Sequence, residues 1–229
     1  MLYKFDTMQH GKADFDKNYF GIFFKKYDKS ELAFYYRWFS GWVNLLDNYL
    51  PIKNGSHQNV LEVGCAIGAF SKLLSERGFK VTATDISEFI IKKARKLQKN
   101  IEFRVSDIEK TSISNEKFDY IFAFEVLEHL QNPGKALINM KKSLGKAGVI
   151  VFSTPIPTKQ TLSDPMHINV HPPKYWLALG KKLKFKKLYY KQVSFIPFLY
   201  RFNSIFSIGF ESKIDFPFVN TTCIYFFEN

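Results

Sequence analysis

The strongest constraint on the fold is a regular alternation of strand-like and helix-like segments between residues 59 and 155. Five short apolar runs have the length and composition of strands: residues 59–63, 79–85, 101–107, 118–125 and 147–155. Three amphipathic runs lie between them with helical spacing: residues 69–77, 88–99 and 134–144. This order predicts βαβ units and a mostly parallel sheet with helices on its faces. Ligands of such sheets bind beyond the carboxyl ends of the strands.

The flanking segments complete one predicted domain over residues 1–229. A helix is predicted over residues 31–50, with Ser30 as its N-cap. The domain is predicted to begin with a helical cap, residues 1–56, followed by a regular core, residues 57–156. The C-terminal region, residues 157–229, contains an aromatic insert at residues 195–218.

The composition limits the cellular compartment and the binding partners that are consistent with the sequence. The sequence has no run of eighteen apolar residues, and its N-terminus lacks the apolar stretch of a signal peptide. Cys65 and Cys223 lie far apart and are predicted to be reduced thiols of a cytoplasmic protein. The formal net charge of +12 fits a nucleic acid or an anionic membrane as partner, and it fits a lysine-rich proteome equally well.

A glycine turn follows the first predicted strand, in the segment VLEVGCAIGAF. Gly64 and Gly68 stand in G-x-x-x-G spacing, whereas a dinucleotide site has G-x-G-x-x-G. The acid Glu62 before the turn would repel a pyrophosphate and attract a cation. Asp85 and Asp107 end the next two strands, where carboxylates can accept ribose hydroxyls and an adenine amino group. The pattern predicts an adenosine that carries a cationic group, which is the chemistry of S-adenosylmethionine.

Further motifs follow in order along the chain: ATDIS at 83–87, VSDIEK at 105–110, FDYIFAFEVLEHL at 118–130 and GVIVFSTP at 148–155. With the glycine turn, they resemble the class I S-adenosylmethionine-dependent methyltransferases over roughly residues 56–176. The resemblance implies a Rossmann-like, doubly wound, mostly parallel sheet of seven strands with an antiparallel last strand.

The resemblance also implies which residues bind the cofactor. Around the methionine part it places Glu62, Gly64, Cys65, Ala66 and Gly68. The other implied contacts are Asp85 for the ribose, Ile86, Asp107 and Ile108 for the adenine, and Phe124 and Glu125 for the sulfonium. Arg37 is a candidate partner for the methionine carboxylate. Ala66 replaces the commoner glycine and is expected to be tolerated with a negative φ. Without the other motifs, Asp85 or Asp107 could be explained as a residue that only caps a turn.

The methyl acceptor is predicted to meet the segment EVLEHL. Glu125, Glu128 and His129 stand at i, i+3 and i+4, which is one side of a helical turn, and His167 follows downstream. Ubiquinone-biosynthesis O-methyltransferases and small-RNA 2′-O-methyltransferases have a similar E-x-x-E-H with a later histidine. That resemblance implies Glu125, Glu128, His129 and His167 as ligands of Mg²⁺ or Mn²⁺. Alternatively, His167 or His129 is a metal-free general base and the acids only cap the turn.

The aromatic insert and the lysines before it resemble an interfacial anchor. The segment Lys181–Phe210 would place apolar side chains in an anionic membrane with lysines on its headgroups. The alternative is an ordinary lid over the active site.

The function predicted from these features is O-methylation of a small hydroxylated acceptor that is phenolic, lipid-linked or a sugar. A metal-assisted RNA 2′-O-methyltransferase and a catalytically silent cofactor-binding subunit are the alternatives. Nucleic acid is disfavoured as a partner because the lysines are scattered and not interleaved with stacking aromatics.

Overall fold

The computed structural model describes residues 15–111, 113, 116–196, 199–212 and 220–229. Its helices are α1 Lys17–Phe23, α2 Lys29–Leu46, α3 Ala69–Glu76, α4 Glu88–Leu97, α5 Pro133–Ser143, α6 Lys159–Leu162 and α7 Pro173–Lys182. Its strands are β1 Asn59–Val63, β2 Lys80–Asp85, β3 Glu102–Val105, β4 Phe118–Phe124, β5 Leu144–Pro155, β6 Lys187–Phe195, β7 Gly209–Glu211 and β8 Asn220–Glu228. Short 3₁₀ turns are Leu127–His129, Leu199–Arg201 and Ser204–Phe206. Residues 1–14 of the predicted cap, and residues 197–198 and 213–218 of the predicted insert, lie outside the described residues.

The described strands form one sheet in the order β3–β2–β1–β4–β5–β8–β6–β7. Neighbours from β3 to β5 are parallel, and β8 is antiparallel to both β5 and β6. The predicted α/β, Rossmann-like, doubly wound fold with an antiparallel last strand is confirmed. The sheet has one strand more than the seven expected, because part of the aromatic insert folds back as β7 against the end of β6.

Two helix starts show how local sequence sets the boundaries. The predicted N-cap Ser30 is wrong, because the side chain of Asp28 accepts the backbone N–H groups of Ser30 and Glu31 and α2 begins at Lys29. The predicted start of α5 is confirmed: Asn132 caps the helix by accepting from the N–H of Lys135, and Pro133 occupies the first turn.

The core lies on both faces of the sheet because side chains alternate along the buried strands. On β4, Phe122 and Phe124 face one cluster that includes residues of α2 and α3. Ile121 and Ala123 face a second cluster that includes residues of α5 and α7. Within the described ranges, no helix combines the length and the apolar character that crossing a membrane requires.

The lysines and the aromatic residues of segment 181–210 lie at opposite ends of β6. Lys187 begins β6 and pairs with Glu228, the last residue of β8. Phe195 ends β6 at the other edge, some eight residues and roughly 25 Å away at about 3.3 Å per residue. The anchor over Lys181–Phe210 therefore stays a prediction, in which the lysines at the start of β6 lie far from the apolar side chains that follow its end.

Candidate active site

The turn between β1 and α3 has the backbone that its glycines require. Gly64 has φ +74° and Gly68 has φ +78°, both in the left-handed region that glycine adopts without strain. A Cβ on Gly64 would lie 2.4 Å from Cγ2 of Val126. Ala66 has φ +47°, so the expectation of a negative φ is wrong. Its methyl group is accommodated in a conformation that costs roughly 1–2 kcal/mol for a residue with a Cβ.

Asp85, at the end of β2, holds this turn in place. Its two carboxylate oxygens accept the backbone N–H of Ala66 at 3.1 Å and that of Ser87 at 3.0 Å. Burial raises its pKa to about 6, against the lowering effect of those backbone hydrogen bonds. The carboxylate lines the cavity described below and keeps lone pairs that ribose hydroxyls can use.

Glu62 supports the turn from below and does not line the cavity. Its side chain is 5% exposed and accepts a hydrogen bond from Oγ of Ser71 on α3. Its carboxylate is directed toward α3, and its expected contact with the methionine part stays a prediction. Burial raises its pKa to about 8, although the hydrogen bonds with Ser71 act in the opposite direction.

We expect Glu62 to make folding stability depend on pH. Its folded-state pKa of about 8 lies above the ordinary 4.5, so the folded protein holds a proton that the unfolded chain releases. Stability is therefore lost as pH rises from about 4.5 to about 8. Glu62→Gln should be more stable than the parent protein at pH 8, by roughly 2–4 kcal/mol, and equal to it near pH 4.5. Urea unfolding at both pH values measures this, and parallel pH profiles of the two proteins would contradict it.

Asp107 and Ile108 lie in the loop after β3, and both line the cavity. One carboxylate oxygen of Asp107 accepts the N–H of Glu109 at 3.0 Å, and the other pairs with Nζ of Lys110 at 2.8 Å. Ile108 is 5% exposed, and its carbonyl accepts from the amide of Asn139. The loop therefore presents a fixed apolar side chain beside an acid, an arrangement suited to the face and edge of a purine.

A cavity of about 2530 Å³ lies at the carboxyl edge of the parallel strands. The predicted cofactor residues that line it are Gly64, Cys65, Ala66, Asp85, Ile86, Asp107, Ile108, Phe124 and Glu125. Gly68 lies outside the lining, where its carbonyl accepts from the Gln98 amide at 2.9 Å. Arg37 is also outside, so its predicted contact with the methionine carboxylate finds no support in the cavity. The volume exceeds the roughly 300–1,000 Å³ typical of a site for one small ligand.

The N-terminal cap supplies cavity residues that sequence reasoning missed. α1 crosses the site and contributes Tyr19, Phe20 and Phe23, while α2 contributes Tyr35 and Trp38. Burial raises the pKa of Tyr19, and the nearby carboxylates of Asp85, Glu128 and Asp164 add to the effect. Tyr19 therefore lies between the cofactor acid and the E-x-x-E-H turn. Asp16, whose side chain accepts the first free N–H groups of α1, is the sequence signal that could have located this helix.

Glu125 precedes the helical turn that carries the other two residues of its motif, although its carboxylate stays close enough to Glu128 to raise the pKa of that residue. Its φ is +52°, and the helical turn begins two residues later at Leu127. Its carboxylate accepts from Oγ of Ser153 at 2.6 Å and from Oγ1 of Thr222 at 3.3 Å. The predicted i, i+3, i+4 alignment is therefore wrong for Glu125, and the acid lies on the cavity wall, tied to β5 and β8.

The remaining residues of the predicted set do converge. Ligand atoms of Glu128, His129 and His167 all lie within 4.8 Å of one another. Nδ1 of His129 lies 2.9 Å from the carbonyl of Met166, and Nδ1 of His167 lies 3.1 Å from that of Thr161. Because carbonyl oxygens only accept, each Nδ1 donates, and in the neutral form of an imidazole the lone pair is then on Nε2.

Glu128 is fully buried, and neither carboxylate oxygen has a hydrogen-bond partner among the described residues. Burial, with a further contribution from Glu125, raises its pKa well above the ordinary value. A buried carboxylate without a donor is costly, so Glu128 needs a proton or a cation beside it.

His171 lies outside the cavity lining and stacks on Tyr175.

Fold and site together have the features of a methyltransferase domain. The family described as "Methyltransferase domain" matches residues 35–190, and the chain belongs to it. A crystal structure of an S-adenosylmethionine-dependent methyltransferase from Archaeoglobus fulgidus has the same fold, with a TM-score of 0.61 and 20% identity over 81% of this chain and 92% of that one.

Two curated relatives are similar over part of their length. A ubiquinone biosynthesis O-methyltransferase of Coxiella burnetii is 35% identical over 101 residues, which are 42% of this chain and 43% of that protein. A malonyl-[acyl-carrier protein] O-methyltransferase of Acetivibrio thermocellus is 32% identical over 115 residues, 48% of this chain and 40% of that protein. The chain thus spans less than half the length of these two relatives.

Proposed function

We propose that the protein transfers the methyl group of S-adenosylmethionine to a hydroxyl oxygen of a lipophilic, phenolic acceptor. The observation that carries this is the continuity of one cavity, from Asp85 and the glycine turn to the cluster of buried Glu128 and half-buried His129 and His167. Its volume leaves room for an acceptor beside an adenosyl cofactor. The names of both curated relatives specify O-methylation, which agrees with this assignment.

The acceptor's character follows from the cavity wall beyond the cofactor residues. Aromatic side chains of α1, α2 and β6 form much of it: Phe15, Tyr19, Phe20, Phe23, Phe24, Tyr35, Trp38, Phe39, Trp42 and Phe195. Aromatic walls favour flat or apolar ligands over a sugar, whose many hydroxyls would lose hydrogen bonds to water there. We assign acceptor binding to those residues of 1–56 and 157–229 that line the cavity, and cofactor binding to residues 57–156, within a single methyltransferase domain.

Methyl transfer forms an oxygen–carbon bond as the sulfur–carbon bond breaks in line, and the acceptor hydroxyl must lose its proton. We assign the proton to Nε2 of His129 or His167, since the Nδ1 atoms are occupied by carbonyl groups. Glu128 would stabilise the imidazolium that forms, because a buried negative charge next to a buried positive one offsets the cost of both. Glu125 is placed to shape the wall beside the methyl group.

The same three residues suit a divalent ion, which would be held by Glu128, His129 and His167 without Glu125. The unpartnered, fully buried carboxylate of Glu128 supports this donor set. One carboxylate and two imidazoles fit Mn²⁺ well and Mg²⁺ less well, since Mg²⁺ prefers oxygen ligands. A bound ion would lower the pKa of the acceptor hydroxyl as a Lewis acid.

Turnover with a matched pair of acceptors tests the proposal. We expect purified protein to convert S-adenosylmethionine to S-adenosylhomocysteine in the presence of a catechol that carries a long alkenyl chain. The same catechol with its hydroxyls already methylated should give no product, because no hydroxyl remains to accept the methyl group. Tight S-adenosylhomocysteine binding without turnover on any phenol would overturn O-methylation and favour a silent cofactor-binding subunit.

A further inference from the structure

A short segment after β6 presents large apolar side chains to solvent. In residues 199–208 these are Leu199, Phe202, Ile205, Phe206 and Ile208, with exposed fractions of 45%, 81%, 73%, 46% and 45%. Soluble proteins rarely expose so many large apolar side chains next to one another, and such patches mark interaction surfaces. We call these five side chains the outer ledge.

The outer ledge is held in place from behind, so its exposure does not result from a loose backbone. Oγ of Ser207 donates to the carbonyl of Trp38 at 2.8 Å and accepts from the N–H of Gly41 at 3.0 Å. The ring of Tyr200 packs on Phe34 and on Trp38, with centroid distances of 5.4 Å and 4.9 Å. The segment is thus docked on α2 through its polar and tyrosine side chains, while its apolar side chains point outward.

The end of α1 adds a second apolar part beside the same stretch of α2. Ile22 and Phe23 are 70% and 51% exposed. The hydroxyl of Tyr35 donates to the carbonyl of Phe23 at 3.1 Å, and Tyr35 is in ring contact with Phe34, which also contacts Tyr200. Consecutive residues of α2 therefore connect the end of α1 with the outer ledge.

The active-site cavity reaches this surface. Ile22 and Phe23 line it near solvent, while Tyr35 and Trp38 line it beneath the outer ledge. A molecule leaving the cavity on this side would pass between the two apolar parts.

Cations accompany the apolar surface. Lys25, Lys26 and Lys29 are exposed in the short connection from α1 into α2. The nearby acids Asp28 and Glu31 are engaged with backbone N–H groups at the start of α2. The whole chain carries a formal net charge of +12, so a negatively charged partner is favoured at this surface.

We propose that the outer ledge, together with Ile22 and Phe23, docks on an anionic lipid bilayer. The apolar side chains enter the acyl boundary, and the three lysines lie at the anionic headgroups. Docking in this pose turns the cavity toward the bilayer, so a lipophilic acceptor can enter without crossing water. This last step rests on the proposed function, whereas the docking itself does not.

Vesicle co-sedimentation tests the docking with the full chain. We expect binding to vesicles of phosphatidylcholine and phosphatidylglycerol in equal parts, and at least about tenfold weaker binding to phosphatidylcholine alone. The double variant Phe202→Ser, Ile205→Ser should bind the anionic vesicles at least about tenfold more weakly, because two inserted side chains are lost. Ile138→Ser is the matched control, since Ile138 is 40% exposed on α5, away from this surface.

The double variant should keep its affinity for S-adenosylhomocysteine and its turnover of a water-soluble phenol, since neither residue lines the cavity. Lys25→Glu, Lys26→Glu should weaken vesicle binding and flatten its salt dependence. Unchanged vesicle binding by the serine variant would overturn the proposal. It would also be overturned if the parent protein ignored vesicles but dimerised through these residues, as sedimentation velocity would show.

Discussion

Asp85→Ala is expected to weaken S-adenosylhomocysteine binding by at least about 100-fold, as measured by isothermal titration calorimetry. A carboxylate that accepts two ribose hydroxyls makes two charge-assisted hydrogen bonds, each worth about 1.5–3 kcal/mol, and about 1.4 kcal/mol is a tenfold change in Kd. The variant also frees the N–H groups of Ala66 and Ser87, which Asp85 holds at 3.1 Å and 3.0 Å, so the glycine turn loses its anchor.

Two further variants separate ribose binding from the support of the turn. Asp85→Asn keeps an oxygen that can accept from one backbone N–H, so its loss of affinity should be smaller than that of Asp85→Ala. Asp107→Ala should lower the affinity less than either Asp85 variant, because Nζ of Lys110 and the backbone N–H of Glu109 already occupy the two carboxylate oxygens of Asp107. A Kd for Asp85→Ala within about threefold of the parent value would remove Asp85 from the cofactor site. Circular dichroism of each variant confirms that the comparison concerns folded protein.

The sheet could be predicted from the sequence because the signals for its strands and helices are local and are repeated along the chain. Strand and helix periods alternate from β1 to β5, and the covalent order of βαβ units leaves few topologies open. Because ligands of parallel sheets bind at the carboxyl ends of the strands, Asp85 and Asp107 were expected at one edge of the sheet, and both line the cavity.

Predictions failed where a single backbone angle decided the outcome. Glu125 and Ala66 both have positive φ, which sequence patterns assign to glycine or asparagine. An i, i+3, i+4 rule assumes helical dihedrals at each position, so it failed at Glu125, whereas Glu128 and His129 lie in a 3₁₀ turn and converge with His167. Nothing in the motif signals that Ser153 and Thr222, which are distant in sequence, hold the carboxylate of Glu125.

The acceptor side could not be predicted because it is assembled from contacts distant in sequence. α1 is seven residues long, too short for a helical period to stand out, yet it places Tyr19 in the cavity. The aromatic insert suggested a lid or an anchor, but its direction depends on Ser207 hydrogen bonding to α2 across 169 residues of sequence. The predicted membrane anchor also grouped the lysines of residues 181–187 with aromatic residues at the other end of β6, because composition does not show how far apart they lie.

Replacing residues of the cluster of Glu128, His129 and His167 is expected to abolish most methyl transfer while leaving the cofactor in place. His167→Ala and Glu128→Gln should each lower kcat by about 100-fold or more, the typical contribution of a positioned acid–base group. The Kd of S-adenosylhomocysteine should stay within about threefold of the parent value, because these residues lie on the acceptor side. His57→Asn is the matched control: His57 is exposed, precedes β1 at the opposite edge of the sheet and has the positive φ that asparagine tolerates.

A thermal shift with MnCl₂ alone decides whether the cluster also holds a metal. At about 100 times its Kd, an ion stabilises the folded state by about 2.7 kcal/mol, which corresponds to a rise in Tm of about 5 °C or more for a chain of this size. The parent protein should show that rise and Glu128→Gln should not, because the amide removes the negative charge of the buried ligand. Loss of kcat without any Mn²⁺ effect on the parent protein would assign the chemistry to the imidazoles. Full activity of both variants would contradict the cluster's role, since no other pair of histidines among the described cavity residues faces the acceptor.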